Sequence, residues 1–239
     1  MIIRVDSEKL HQRVNGLSLI DNYLSTQLEE VLQSYRGMCF RNSQIDKFQF
    51  FMECLDLKLS KESEQFLVDK CRLDFHRDSR SSVHYGLDLV FGWIYEDLIL
   101  ATLRKRGISV QLAGEDRHRE FLPASEIGTT SDFLLDLNGI RKPLEIVFAW
   151  NNHWTIYDRW DLRDSKYMSL VSAGVESLCL GIELPSLNGF LIDMQNPNLV
   201  FIKRANPAWG NKFVYTLTGV RDQLKSVDLV LEDFKQLLH

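Results

Sequence analysis

Asp132 and Glu145 each open a short apolar run in the stretch SDFLLDLNGIRKPLEIVFAW, residues 131–150. A lone acid is ordinarily solvated, but these two lead directly into segments that read as buried strands. The alternation predicts strands over 131–137 and 143–149, joined by Asn138-Gly139, a dipeptide that favours a tight hairpin turn. Each acid lies six residues from its end of that turn, so pairing brings the two carboxylates to the same end of the hairpin. Side chains alternate along a strand, so Asp132 shares a face with Leu134 and Glu145 shares one with Val147. Neighbouring carboxylates repel each other unless a cation lies between them. Mg2+ or Mn2+ takes hard oxygen ligands of this kind, lowers the pKa of a bound water and offsets charge on a phosphate oxygen. Each acid also has a purely structural use. Asp132 suits local N–H groups at a strand entrance, and Glu145 suits an edge charge that discourages aggregation.

A second group of chemically capable residues follows in AWNNHWTIYDRWDLR, residues 149–163. His153, Trp154, Arg159 and Arg163 have the composition of a loop that stacks on unpaired bases and contacts phosphates. The same residues also suit an aromatic cluster with exposed polar tips. His118 reads as an exposed loop residue, and Arg104-Lys105-Arg106 as a basic helix end. The phosphate-loop, dinucleotide and nucleophile-elbow glycine motifs are absent from the sequence.

These residues need a scaffold. Residues 1–82 read as a helical region, with Ser60 as the N-cap of one helix and a polar loop over 77–82. From Gly86 to Lys105 two apolar stripes mark a mostly buried helix, with Gly107 supplying its left-handed cap. Residues 108–114 alternate as a strand. A short helix is expected over DLRDSKYMSLVSA, ended by Gly174. SLCLGIEL reads as a central strand covered on both faces. GFLIDM, LVFIKRA and FVYTLTG read as further strands, and 220–238 as one closing helix. The expected fold is α/β (α+β): a mixed central β-sheet flanked by helices over 83–239, preceded by the helical region.

An acid at one strand followed by an acid opening the next resembles the PD-(D/E)XK nuclease superfamily, here Ser131-Asp132 … Glu145-Ile146-Val147. The lysine usual two residues after the second acid is replaced by Val147. A remote similarity to the Uma-two branch, which takes its lysine from the following helix, lies in Lys166 with Gly174-Val175 eight residues on. Asp161 stands five residues before that lysine, one more than the branch pattern. The resemblance implies a restriction-endonuclease-like fold and a metal site made of Asp132, Glu145 and the Ile146 carbonyl. It implies Lys166 as the group that positions water or neutralises the phosphate, and Glu96 as an inward glutamate on the preceding helix, with Asp97 pointing elsewhere. It also implies a Mg2+- or Mn2+-dependent endonuclease acting on nucleic acid, with DNA the expected substrate, and a homodimer. Viral cap-snatching RNA endonucleases resemble the same core, through His76 or His84, Asp116, Asp132, Glu145 and Lys166. Val147 keeps a third reading open, a nuclease-fold protein that binds nucleic acid or assembles without cutting.

The bulk composition is compatible with these readings. The chain has 239 residues, 45% hydrophobic and 26% charged, with net charge −5. That is ordinary globular composition. The negative balance argues against a non-specific nucleic-acid coat and agrees with an acidic metal site. Four cysteines without zinc-ligand spacing read as reduced thiols. Without an apolar run of ~20 residues or a secretory leader, the expected location is cytoplasmic, with no membrane partner.

Overall fold

The computed structural model describes residues 7–25, 27–71, 81–123, 126, 128–172, 176–207 and 211–236. The chain divides into two compact units. One comprises residues 1–102 with 115–128, and the other 103–114 with 129–239. The division falls inside a long helix rather than at residue 82.

The first unit holds α1 (Ser7–Leu24), α2 (Gln27–Gln33), α3 (Lys47–Leu55), α4 (Lys61–Lys70) and most of α5 (Ser82–Lys105). The Ser60 cap is the expected one, accepting the Ser63 N–H at 3.1 Å, and the structure adds Asp46, which caps α3 through the Gln49 N–H at 2.9 Å. Phe40, Phe50, Phe66 and Phe121 pack ring against ring between these helices, with centroids 5.0–6.3 Å apart.

The second unit opens on the end of α5. Gly107 has φ 82° and donates to the Arg104 carbonyl, while Ile108 donates to the Leu103 carbonyl. This is the glycine-dependent closure expected of a helix that stops abruptly. A six-stranded sheet follows in the order β1 (Ser109–Leu112), β2 (Phe133–Leu137), β3 (Ile140–Ala149), β5 (Leu178–Glu183), β6 (Asn188–Asp193) and β9 (Lys225–Ser226). Asn138 and Gly139 both have positive φ, and Leu137 pairs with Ile140 across them. Pro143 lies before β3 begins pairing with β5 at Leu144, so its missing N–H costs no ladder bond there. β3 and β5 are parallel, which requires a crossover. α6 (His153–Tyr157), β4 (Arg159–Arg163) and α7 (Asp164–Ser172) make that crossover. α8 (Val227–Gln236) packs on β6.

Three expectations are corrected here. β7 (Phe201–Asn206) and β8 (Lys212–Thr218) do not extend the central sheet. They join β4 in a separate three-stranded sheet, because residues 159–163 form a strand rather than the start of a helix. The closing segment is not one helix; it is a 3-10 turn at Val220–Gln223, the two-residue β9 and then α8. The sheet is mixed and helix-flanked, as expected of an α+β fold. Gly174, expected to end α7, lies outside the described residues. Among those residues no helix is long and apolar enough to cross a membrane.

One face of the six-stranded sheet is closed by Phe133, Leu135, Leu144, Ile146, Leu178 and Leu180, all buried. The opposite face packs Val147, Ala149 and Cys179 into a core with Trp154, Trp160, Leu162, Leu170, Phe190 and Leu217. Gly181 makes room for the Phe190 ring, since a Cβ at that position would come within 2.3 Å of it.

Candidate functional site

Asp132, immediately before β2, and Glu145, on β3, each stand one step beyond the Phe133–Leu144 pair. Counting from the turn, this is a position where paired residues exchange no backbone hydrogen bonds, the kind that brings side chains closest. Asp132 is anchored from both sides. Its carbonyl accepts the Ala113 N–H at 2.9 Å, and its Oδ2 accepts the Ile146 N–H at 2.8 Å. Because N–H and C=O of a strand residue point the same way, the Ile146 carbonyl also faces the β2 side. Cys179 pairs with Glu145 from β5, so Asp132, Glu145 and Cys179 form one row across three strands.

Lys166 completes the row from above. α7 is anchored by Leu170 in the core, by the Tyr167 ring stacked 3.7 Å from Tyr215, and by Ser169 Oγ donating to the Thr129 carbonyl at 2.9 Å. From there the Lys166 ammonium reaches Glu145 Oε2 and the Thr130 carbonyl, both at 3.0 Å. Glu145 is only 7% exposed. Burial, and then the charge of Asp132, push its carboxyl up to about 8, against the opposing pull of Lys166. Burial and the two acids likewise raise the Cys179 thiol well above its ordinary value. Val147, at the usual lysine position, packs against the apolar core instead.

Among the described residues no group of three or more His, Cys, Asp or Glu side chains is placed to hold a metal ion. Carboxylate and carbonyl oxygens are nevertheless the donor type that hard divalent cations take. Two adjacent carboxylates and the Ile146 carbonyl offer three oxygens, and such ions keep further positions for water and phosphate.

Glu96 belongs to the first unit, where Arg119 holds its carboxylate at 2.7 Å. Asp97, expected to point elsewhere, is the more buried of the two; it pairs with Arg119 at 2.6 Å and accepts the Tyr35 hydroxyl. Burial explains the correction: Arg119 is 2% exposed and needs both acids. In the same unit His84 lies 3.7 Å from Asp88, and Asp116 accepts the Trp93 indole N–H. His76 and Gly174-Val175 lie outside the described residues.

Trp154 does not stack on bases. It is 4% exposed and packs on Phe190 at 5.0 Å. His153 opens α6 beside Tyr157, and burial followed by the Arg159 charge holds its imidazole below the ordinary value. Arg159 and Arg163 project from one side of β4 rather than from a loop. Arg163 is exposed, and Arg159 Nε lies 4.0 Å from Asp161. Asp161 itself is a sheet fastener that takes Arg204 through both oxygens, together with Asn206 and Thr216.

Sequence reasoning missed Glu183. Fully buried at the end of β5, it accepts the Trp154 and Thr155 N–H groups at 2.9 and 3.0 Å and the Ser186 hydroxyl at 2.9 Å. The available signal was an acid inside the otherwise apolar run SLCLGIEL.

No protein-family model matches the chain, and no curated protein matches it significantly.

Proposed function

We propose that this protein is a divalent-metal-dependent endonuclease that cleaves nucleic-acid phosphodiester bonds, with DNA as substrate. The observation that carries this reading is Lys166 on α7 meeting Glu145 opposite Asp132, which supplies from a helix the cation that Val147 lacks. Asp132, Glu145 and the Ile146 carbonyl would hold Mg2+ or Mn2+. The bound ion would neutralise phosphate charge and lower the pKa of a bound water.

The chain's own groups act around that ion. Asp132 is oriented by the Ile146 N–H, which holds its carboxylate beside Glu145. Lys166, steadied by the Thr130 carbonyl, is placed to donate to a phosphate oxygen as charge develops, or to hold the attacking water. Val147 and Cys179 shield the inner side of the site from bulk water. The four free cysteines suit a reducing compartment, and we place the activity in the cytoplasm.

The test is cleavage of plasmid and single-stranded substrates in Mg2+ and Mn2+ by wild type, Asp132→Ala and Lys166→Ala. Absence of cleavage by wild type under every condition sinks the enzyme reading. Cleavage that survives Asp132→Ala sinks this site. A second reading, a nuclease-fold protein that binds nucleic acid without cutting it, draws on the two-carboxylate donor set and on the Glu145–Lys166 ion pair. It predicts binding without turnover.

A further inference from the structure

A pocket of about 210 Å³ adjoins the acids within the second unit. Its floor includes Leu134 and Pro143, which pair across β2 and β3 one row along from Asp132 and Glu145 on the same face. Two residues of strand span about 7 Å. Ser169 and Leu170 on α7 also line it. They follow Lys166 by three and four residues, so they lie on the same side of the helix. Thr130 lines it as well, and its carbonyl is the one that accepts the Lys166 ammonium. The pocket therefore continues directly from the proposed reaction centre.

Its chemistry differs from that of the centre. No charged side chain lines it; Phe133, Leu134, Pro143 and Leu170 make it mostly apolar, and Thr130, Ser131, Ser169 and Ser177 add hydroxyl groups. Such a surface has nothing to hold an ion or a phosphate. It suits a flat neutral ring with polar edges. The volume lies below the roughly 300 Å³ at which pockets for drug-sized ligands begin, so it suits one ring system. With a phosphate beside Lys166, the neutral ring tethered within one row's distance is the base of an adjoining nucleotide.

We propose that this pocket receives a nucleobase next to the scissile phosphate, so that the substrate class is single-stranded or locally unpaired DNA. The inference rests on the nuclease reading of the neighbouring site. A base stacked inside a duplex has no access to the pocket; it must already be unpaired or be turned out of the stack.

Binding and cleavage are measured on the same substrates, so that the two readings fail separately. The substrates are a short labelled single-stranded DNA, its duplex, and copies of the strand with one abasic site moved along it. Binding is read by anisotropy in Ca2+ and cleavage in Mg2+. Leu134→Trp and Ser169→Trp each fill the pocket from a different wall, so a folding failure in one leaves the other. The single strand should bind about tenfold more tightly than the duplex, and one abasic position should weaken binding about tenfold. Either filled variant should show the same loss and no further abasic effect. Cleavage and binding that ignore every abasic position overturn the base pocket and leave the nuclease. Abasic-sensitive binding without cleavage supports the pocket and removes the nuclease. Absence of binding to any of these DNAs overturns both.

Discussion

The Lys166 ammonium lies 3.0 Å from Glu145 Oε2, although the residues are 21 positions apart and belong to a helix and a strand. Once Glu145 is ionised, two carboxylates and one ammonium leave a net negative charge in the row. That excess is what a divalent cation would neutralise. It also makes the row sensitive to pH, to metal and to loss of the lysine.

Lys166→Met should lower single-turnover cleavage by about a hundredfold to ten-thousandfold, the span usual for a positioned proton-transfer group. It should also destabilise the fold, and more at pH 9 than at pH 5. Glu145 can take up a proton at the lower pH but not at the higher one, where it would stay charged and buried without its partner. Thermal melts at the two pH values check this. An equal loss at both would show that the pair is not coupled to Glu145 ionisation.

Stability should fall as pH rises from about 4.5 to about 8, the interval between the ordinary glutamate value and the raised one of Glu145. Within it the folded chain holds the Glu145 proton and the unfolded chain does not, so removing protons favours unfolding. One proton limits this contribution to about 1.4 kcal/mol per pH unit. Urea midpoints measured across this interval should show the slope in wild type and lose it in Glu145→Gln. A Glu145→Gln slope equal to that of wild type would remove Glu145 as its source.

Mg2+ should stabilise the protein more at pH 8 than at pH 6, because proton and cation compete for Glu145. At a hundredfold excess over its dissociation constant the ion would add about 2.7 kcal/mol. Asp132→Asn should abolish most of the shift in melting temperature. A shift that survives this substitution places the ion elsewhere.

Glu183→Ala should separate structure from chemistry. It leaves the Trp154 and Thr155 N–H groups without their acceptor, at a cost of about 1–3 kcal/mol. Glu183 sits at the far end of β5 from Cys179, so the folded fraction should cleave at the wild-type rate. Denaturant curves and active-fraction kinetics together test this. A rate defect in fully folded protein would assign Glu183 a part in catalysis.

Much of the site was legible in sequence wherever it depends on neighbours along the chain. Asn138-Gly139 needs positive φ at both positions, and that turn alone sets the register that opposes Asp132 to Glu145. The α5 closure at Gly107 and the Ser60 cap are equally local. Trp154 was misread because an aromatic next to histidine and arginine looks the same in sequence whether it is exposed or packed on Phe190. Asp97 was misread because helical spacing gives the direction of a side chain but not the presence of Arg119 to receive it.

The amino-acid sequence by itself determined the hairpin, the helix ends and the pairing of two acids, all set by backbone preference and period-two alternation. Only the tertiary structure decided that 159–163 is a strand, that β4, β7 and β8 form a second sheet, and that the crossover brings α7 over the acids. Those outcomes depend on long-range pairing and on burial of Trp160, Leu162 and Leu170 in a shared core. From that packing comes the reach of Lys166 to Glu145, which no spacing along the chain specifies.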